Sequence, residues 1–192
     1  MRMWRGLAAT LIAAALTAPI ANADNPPPSL PQFVPHESDW QPNTVVYPYN
    51  LWQNRVTPEQ VTAMRDSCQW FIAQYDPLMS QTAGLQHFLD GQHDNWQAPG
   101  IQQAATTVEA NLDQSAAFLD PRAHTLFIVN YPDQSEYSPV YNGDSMFHLW
   151  YQFTQISDNM KQRLPSGQLN AHIATASVYG TTIRDSGVCA GA

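Results

Sequence analysis

Basic side chains are scarce in this sequence, and this scarcity limits the partners that we expect. The chain has 8 Lys and Arg residues against 16 Asp and Glu residues, and Lys161 is its only lysine. Nucleic acids and anionic lipid surfaces attract proteins through positive charge. We therefore expect no nucleic-acid partner and no attraction to an acidic membrane surface.

Long apolar runs are also missing after the first residues of the chain. A membrane helix needs roughly 18 or more consecutive apolar residues, and no stretch after residue 23 approaches that length. The sequence therefore predicts no membrane span.

The first 23 residues have the pattern of a secretory signal peptide. Arg2 and Arg5 precede an apolar stretch, Leu7–Ala18, and Ala21-Asn22-Ala23 is a small-residue cleavage motif. We expect residues 1–23 to be removed and the mature chain, Asp24–Ala192, to be secreted or extracytoplasmic, in a periplasm or cell envelope. Since the leader contains two arginines and no acid, its removal changes the net charge from −8 to about −10.

Only two cysteines are present, Cys68 and Cys189. In an oxidising compartment a pair of cysteines favours one disulfide. The alternative is two free thiols, one of them reactive. A disulfide would close a loop of about 120 residues, which the chain-entropy model values at about 4–5 kcal/mol.

Seven prolines between residues 24 and 56 predict an extended N-terminal arm, because proline is excluded from helix interiors and from most strand positions. Asp24–His36 is predicted to be a mobile leader. From Trp40 onward the arm is rich in large apolar residues and is expected to lie across the helical body. The Pro26–Pro28 triplet could be a polyproline ligand, although a solvated spacer is the simpler interpretation.

Residues 57–192 have the pattern of one mostly helical domain, a bundle of four or five helices. Thr57 and Gln60 form a capping box around Pro58, which predicts a helix start. Pro77 is expected to kink or break this helix, with Asp76 capping a second one.

Three further segments complete the predicted bundle. A third helix is expected over residues 99–119, ended by Asp120-Pro121. Leu126–Val129 suits either a buried strand or a helix end, and we favour the helix. A connector over residues 131–141 and a last helix over residues 166–179 follow.

The most apolar helix is predicted over residues 141–164. Asn142-Gly143 predicts a turn, and Asp144 is expected at the N-cap. An apolar stripe then recurs every three or four residues, which favours a central core helix. Its members are Met146, Leu149, Trp150, Phe153, Ile156, Met160 and Leu164.

Asp144 and His148 are four residues apart and share a helix face, so a carboxylate could orient an imidazole as part of a general base. The simpler interpretation is a helix cap and a histidine among core residues. No G-x-S-x-G or H-E-x-x-H motif supplies the rest of a catalytic site.

Two cofactor hypotheses involve histidines. His87, Asp90, His93 and Asp94 could bind a metal, although their spacing is not diagnostic. A haem pocket is the second hypothesis, but aromatic residues at helical spacing are more often core. We expect neither a cofactor nor a metal. The candidate haem ligands are Tyr75, His87, Tyr141, His148 and His172.

Two motifs resemble those of a group of small secreted helical proteins of mycobacteria, one of which is implicated in siderophore export. They are Tyr137-Ser138 and Tyr141-Asn142-Gly143-Asp144, followed by Trp150 and by a cysteine near the C-terminus. The resemblance implies that Cys68 and Cys189 close the bundle and that Tyr141–Asp144 is a shared structural turn. It also implies a non-catalytic accessory protein outside the cytoplasmic membrane.

The expectation for function is therefore a secreted non-enzymatic helical protein that assists export or binds a small molecule or a protein partner. Two alternatives stay open: a secreted hydrolase that uses a histidine-containing face, and a haem or metal carrier. The turn Tyr141–Asp144 and His148 are the candidate functional residues.

Overall fold

The computed structural model describes residues 26–42, 56–130 and 135–192. The predicted signal peptide, the part of the arm from residue 43 to residue 55 and part of the predicted connector lie outside these ranges. Most of the described residues are helical, which confirms the predicted fold class. None of the helices in these three ranges combines the length and the apolar character that crossing a membrane requires.

The first helix, α1 (Pro58–Trp70), begins with the predicted capping box. Thr57 Oγ1 accepts a hydrogen bond from the Gln60 N–H at 3.3 Å, and Gln60 Oε1 accepts one from the Thr57 N–H at 3.0 Å. Two backbone donors that the helix itself cannot satisfy are thereby paired.

Pro77 does not start a separately capped helix, so the predicted cap at Asp76 is wrong. A π-helical turn, Phe71–Tyr75, joins α1 directly to α2 (Asp76–Gly91), and both Tyr75 and Asp76 have helical backbone angles. The wider π-helical turn accommodates the missing N–H of the proline without a new helix start.

Pro121 likewise does not end the next helix, α3 (Ile101–Leu126), and the predicted boundary at residue 119 is wrong. Pro121 and Ala117 are both exposed, so water can satisfy the carbonyl of Ala117 that the proline leaves free. Ala123 and Leu126 beyond the proline are fully buried. Their packing continues the apolar face and holds the helix together past the proline.

A short β-hairpin follows α3, although the sequence favours a helix end at residues 126–129. The strands β1 (Ile128–Asn130) and β2 (Ser135–Tyr137) pair antiparallel, with Ile128 opposite Tyr137. Phe127 has extended backbone angles and ends the helix. The helix prediction therefore holds for Leu126 alone, and the strand alternative is correct after it.

The core is organised around α4 (Gly143–Lys161), which packs between α3 and α5 (Ser166–Asp185). Met146, Leu149, Phe153 and Ile156 have no exposed surface, which confirms the predicted core helix. The continuous α1–α2 segment contacts α3, and α2 also contacts α5. Trp70 of α1 meets Phe153 of α4 at 5.7 Å between ring centroids, so the helices enclose one core.

The arm is bound to the helices rather than mobile. Residues 26–42 have no regular secondary structure, but Leu30 and Phe33 pack against the core and Trp40 is only 8% exposed. The prediction of a mobile leader is therefore wrong for residues 26–36, whereas the predicted packing of Trp40 is confirmed.

Cys68 and Cys189 form the predicted disulfide. Cys68 is fully buried on α1, and Val188 beside Cys189 is also buried. The bond therefore attaches the C-terminal segment to the start of the bundle, across a sequence separation of 121 residues.

Replacing both cysteines by alanine should lower the melting temperature by roughly 10 °C, because the unfolded chain regains the entropy that the crosslink removes. Differential scanning calorimetry of the oxidised protein and of Cys68→Ala/Cys189→Ala measures the change. Wild-type protein under reducing conditions is the matched control. An unchanged melting temperature in both would contradict a stabilising role for the bond.

Candidate functional site

The turn that precedes α4 is built around Asn142, which corrects the predicted cap. Asn142 occupies the left-handed region (φ 58°), and its carbonyl accepts the first helical hydrogen bond from the Met146 N–H at 3.1 Å. Asparagine tolerates this conformation better than most residues. Asp144 lies in the first turn, two residues after Asn142, and is exposed; its charge suits the positive end of the helix dipole there.

Gly143 lets this turn approach the end of α3. A Cβ at this position would lie 2.1 Å from Ser138 Oγ, 2.9 Å from Ser138 Cβ and 3.3 Å from Leu126 Cβ. Ser138 is buried, and its Oγ accepts a hydrogen bond from the Val140 N–H at 3.2 Å. The turn is thus a packing device that sets where α4 begins.

His148 contacts rings in the described structure rather than the carboxylate of Asp144. It stacks on Tyr179 of α5 at 5.0 Å between ring centroids and 18° between planes, and Phe127 meets it edge-on at 5.7 Å. The geometry therefore supplies an aromatic contact surface at this histidine and no paired general base.

His148 belongs to a larger surface that we call the aromatic face. Phe127 stacks on Phe147 with 3.9 Å between ring centroids and 10° between planes. His124 and Trp150 form an edge-to-face pair with 4.7 Å between ring centroids. Five of the six rings are half-buried and His124 is exposed. The aromatic face consists of His124, Phe127, Phe147, His148, Trp150 and Tyr179.

The aromatic face contains one unpaired polar atom. Trp150 Nε1 is buried and has no hydrogen-bond partner among the described residues. A buried donor without an acceptor costs about 1–3 kcal/mol.

The remaining histidines do not join this face. His172 Nδ1 lies 2.8 Å from Gln152 Oε1, and His87 and His93 are exposed. Within the described ranges, no three His, Cys, Asp or Glu side chains are grouped so that they could hold a metal ion.

Tyr75 has a structural environment. Its hydroxyl lies 3.5 Å from the Ala176 carbonyl, and burial raises its pKa. A Cβ at Gly180 would lie 1.9 Å from this hydroxyl. Helix α5 therefore covers Tyr75 and leaves no space beside it for a haem.

Asp90 and Asp94 hold the start of α5. Asp94 Oδ1 accepts a hydrogen bond from the Ser166 N–H at 2.8 Å, and Ser166 Oγ lies 3.2 Å from Asp90 Oδ1. The hydroxyl of Ser166 and then its backbone N–H hold the pKa of the Asp94 carboxyl below its usual value. These two carboxylates of the metal hypothesis therefore contact a helix N-terminus.

Three cavities among the described residues have none of the six rings in their lining. One, about 470 Å³, is bordered by Asp66 and Arg122, which form an ion pair at 3.0 Å. Another, about 380 Å³, lies beside the disulfide and Arg184.

Comparisons with protein-family models, with curated proteins and with solved structures found no match.

The sequence predicts the turn and His148 as functional candidates but does not predict the aromatic face. Phe147 and His148 lie close to Trp150 in the sequence, so rings occur on both sides of the apolar stripe. This proximity is a local indication of an aromatic surface. The sequence favours a helix at Phe127 and places Tyr179 at the end of the last predicted helix. Their meeting depends on how three elements pack.

Gly143→Ala should destabilise the protein by about 2 kcal/mol, since the new methyl group would overlap Ser138 and force the turn away from α3. Urea unfolding measures the change. Gly167→Ala is the matched control, because nothing lies within 4 Å of a Cβ there and alanine favours a helix. Equal stabilities for the two variants would contradict the packing role of Gly143.

Asp94→Asn should lower the melting temperature at pH 7. The folded carboxyl has a lowered pKa, so its charged form stabilises the fold above the usual value of 3.8. That contribution is lost as the pH falls below 3.8 through the folded pKa. The difference from wild type should therefore shrink in that acid range. Asp158→Asn controls for net charge, and a gap that is constant with pH would contradict this role.

Proposed function

We propose that this is a secreted, non-enzymatic binding protein that recognises a protein partner through the aromatic face. The observation that carries the proposal is the assembly of six partly exposed rings around the start of α4. Aromatic side chains are enriched at protein interfaces and at the residues that contribute most to binding.

The shape of the surface favours a protein over a small molecule. Small-molecule sites are usually concave and enclose most of the ligand, whereas the described cavities lie elsewhere on the chain. A broad face of stacked rings suits the apolar side chains of another protein.

The charge of the chain defines the rest of the partner. Asp120 and Asp144 are exposed beside the aromatic face, and the whole chain is acidic. Interfaces match charges of opposite sign around an apolar centre. The partner should therefore present apolar residues bordered by lysine or arginine.

The leader and the resemblance support a role outside the cytoplasmic membrane, and the disulfide is compatible with an oxidising compartment. The resemblance further supports an accessory role in export. A photo-crosslinking residue at Phe147 tests the binding proposal in the cells that make the protein. It should yield one dominant adduct that mass spectrometry identifies.

The same crosslinker at Ile72, which is 62% exposed on the π-helical turn, is the matched control and should not yield that adduct. With the purified partner, His148→Ala and Tyr179→Ala should each weaken binding about tenfold in calorimetry, by loss of stacked area. Identical adducts at both positions, or none at Phe147, would refute the proposal. So would turnover of an ester, peptide or glycan that His148→Ala abolishes.

A further inference from the structure

The described part of the N-terminal arm is held mainly through its backbone. Asn111 of α3 contacts it twice: Oδ1 accepts from the Leu30 N–H at 2.9 Å, and Nδ2 donates to the Pro28 carbonyl at 3.1 Å. Gln81 of α2 donates to the same Pro28 carbonyl at 3.0 Å and accepts from Asn111 Nδ2 at 2.7 Å.

Three further glutamines continue this pattern along the arm. Gln74 and Gln114 both donate to the Pro31 carbonyl, at 2.6 and 3.0 Å. Gln69 of α1 contacts both backbone groups of His36, since it accepts from the N–H at 2.9 Å and donates to the carbonyl at 3.0 Å. Amide side chains thus contact the arm from Pro28 to His36.

Four of these amides line a polar groove that the arm fills. Their exposed fractions are at most 7%, and a buried amide is costly unless it is hydrogen-bonded. The arm supplies partners to all four. The four residues are Gln69, Gln74, Gln81 and Asn111.

The groove suits proline-rich peptides for a chemical reason. Proline has no N–H, and an extended proline-rich chain leaves its carbonyls unpaired. Here amide donors point at the carbonyls of Pro28 and Pro31. The bonds to backbone atoms read the extended conformation, and the apolar side chains of Leu30 and Phe33 add contact with the helices.

Between residues 28 and 36 the side-chain contacts of the arm are peripheral, whereas Trp40 further along the arm belongs to the core. Leu30 and Phe33 pack against the edge of the core without belonging to it, and Val34 is 74% exposed. Phe33 meets Phe118 edge-on at 5.0 Å, and a cavity of about 290 Å³ beside the two rings is left unfilled. Residues 28–36 are therefore seated on a helical core whose apolar packing does not include them.

We propose that the groove between α1–α2 and α3 is a binding site for extended proline-rich peptides, and that residues 28–36 occupy it as an intramolecular competitor. A tethered segment acts at an effective concentration of about millimolar. The arm therefore keeps the groove closed to weak peptides, and a peptide binds when the arm is released. This site is distinct from the aromatic face and does not depend on its role.

The test uses the full chain and a fluorescent synthetic peptide with the sequence of residues 26–40. Leu30→Asp/Phe33→Asp weakens the arm in the protein but leaves the groove amides intact. Fluorescence anisotropy should show that this variant binds the peptide at least about tenfold more tightly than wild type does, because the competitor is weakened. Adding Asn111→Ala should abolish the gain.

A peptide that itself carries the two aspartates is the matched ligand control and should bind neither protein. Circular dichroism verifies that each variant keeps its helices. A folded arm variant that does not bind the peptide would overturn the proposal and make the arm a permanent part of the fold. Equal binding of the aspartate peptide would also overturn it.

Hydrogen exchange on the wild-type protein gives a second test that needs no variant. If the arm is released without unfolding of the helices, the Leu30 and His36 N–H groups should exchange at least about 100-fold faster than that of Leu149 in the core. Exchange of all three at one rate, through global unfolding, would refute a releasable arm.

Discussion

Four side chains of α4 are completely shielded from solvent, and such shielding needs a neighbouring element on each flank of the helix. Helices α3 and α5 supply those flanks, and burial of each large apolar side chain contributes roughly 1.5–3 kcal/mol. The position of α4 then determines the geometry of the preceding turn. The first turn of α4 must approach α3 closely, and only a glycine at position 143 allows this approach. The side chains concerned are Met146, Leu149, Phe153 and Ile156.

The same constraint explains which parts of the fold were predictable. Apolar spacing located α4, and a local capping box located the start of α1, because both signals lie within one turn or one face. The helix boundaries predicted at Pro77 and Pro121 were wrong for the same reason. Each proline sits in a helix whose neighbouring turns are packed: a π-helical turn absorbs Pro77, and buried residues follow Pro121. Tertiary burial outweighed the local cost in both cases.

The candidate site was less predictable than the fold. The turn Tyr141–Asp144 is predictable from the sequence because the residues that form it are neighbours in the chain. The aromatic face joins the end of α3, the start of α4 and the end of α5, so no window of sequence contains it. The amide contacts to the arm were hidden for a different reason. Glutamine and asparagine are common on protein surfaces, and only packing shows that Gln69 and Asn111 are buried.

Amide side chains rather than charged ones bind residues 28–36 of the arm. The groove and the aromatic face should therefore respond differently to salt. Several of the described charges form ion pairs, such as Asp66 with Arg65 and Arg122 at 3.1 and 3.0 Å, and ion pairs weaken with salt where they are exposed. Residues 28–36 of the arm are bound by neutral hydrogen bonds between buried amides and backbone groups, which ions screen little, whereas Glu37 forms an ion pair with Arg65 at 3.4 Å. The exposed Asp120 and Asp144 would make the proposed recognition at the aromatic face sensitive to salt. Ionic strength would therefore distinguish the two surfaces, because it would change attraction to the aromatic face and have little effect on the amide contacts to residues 28–36.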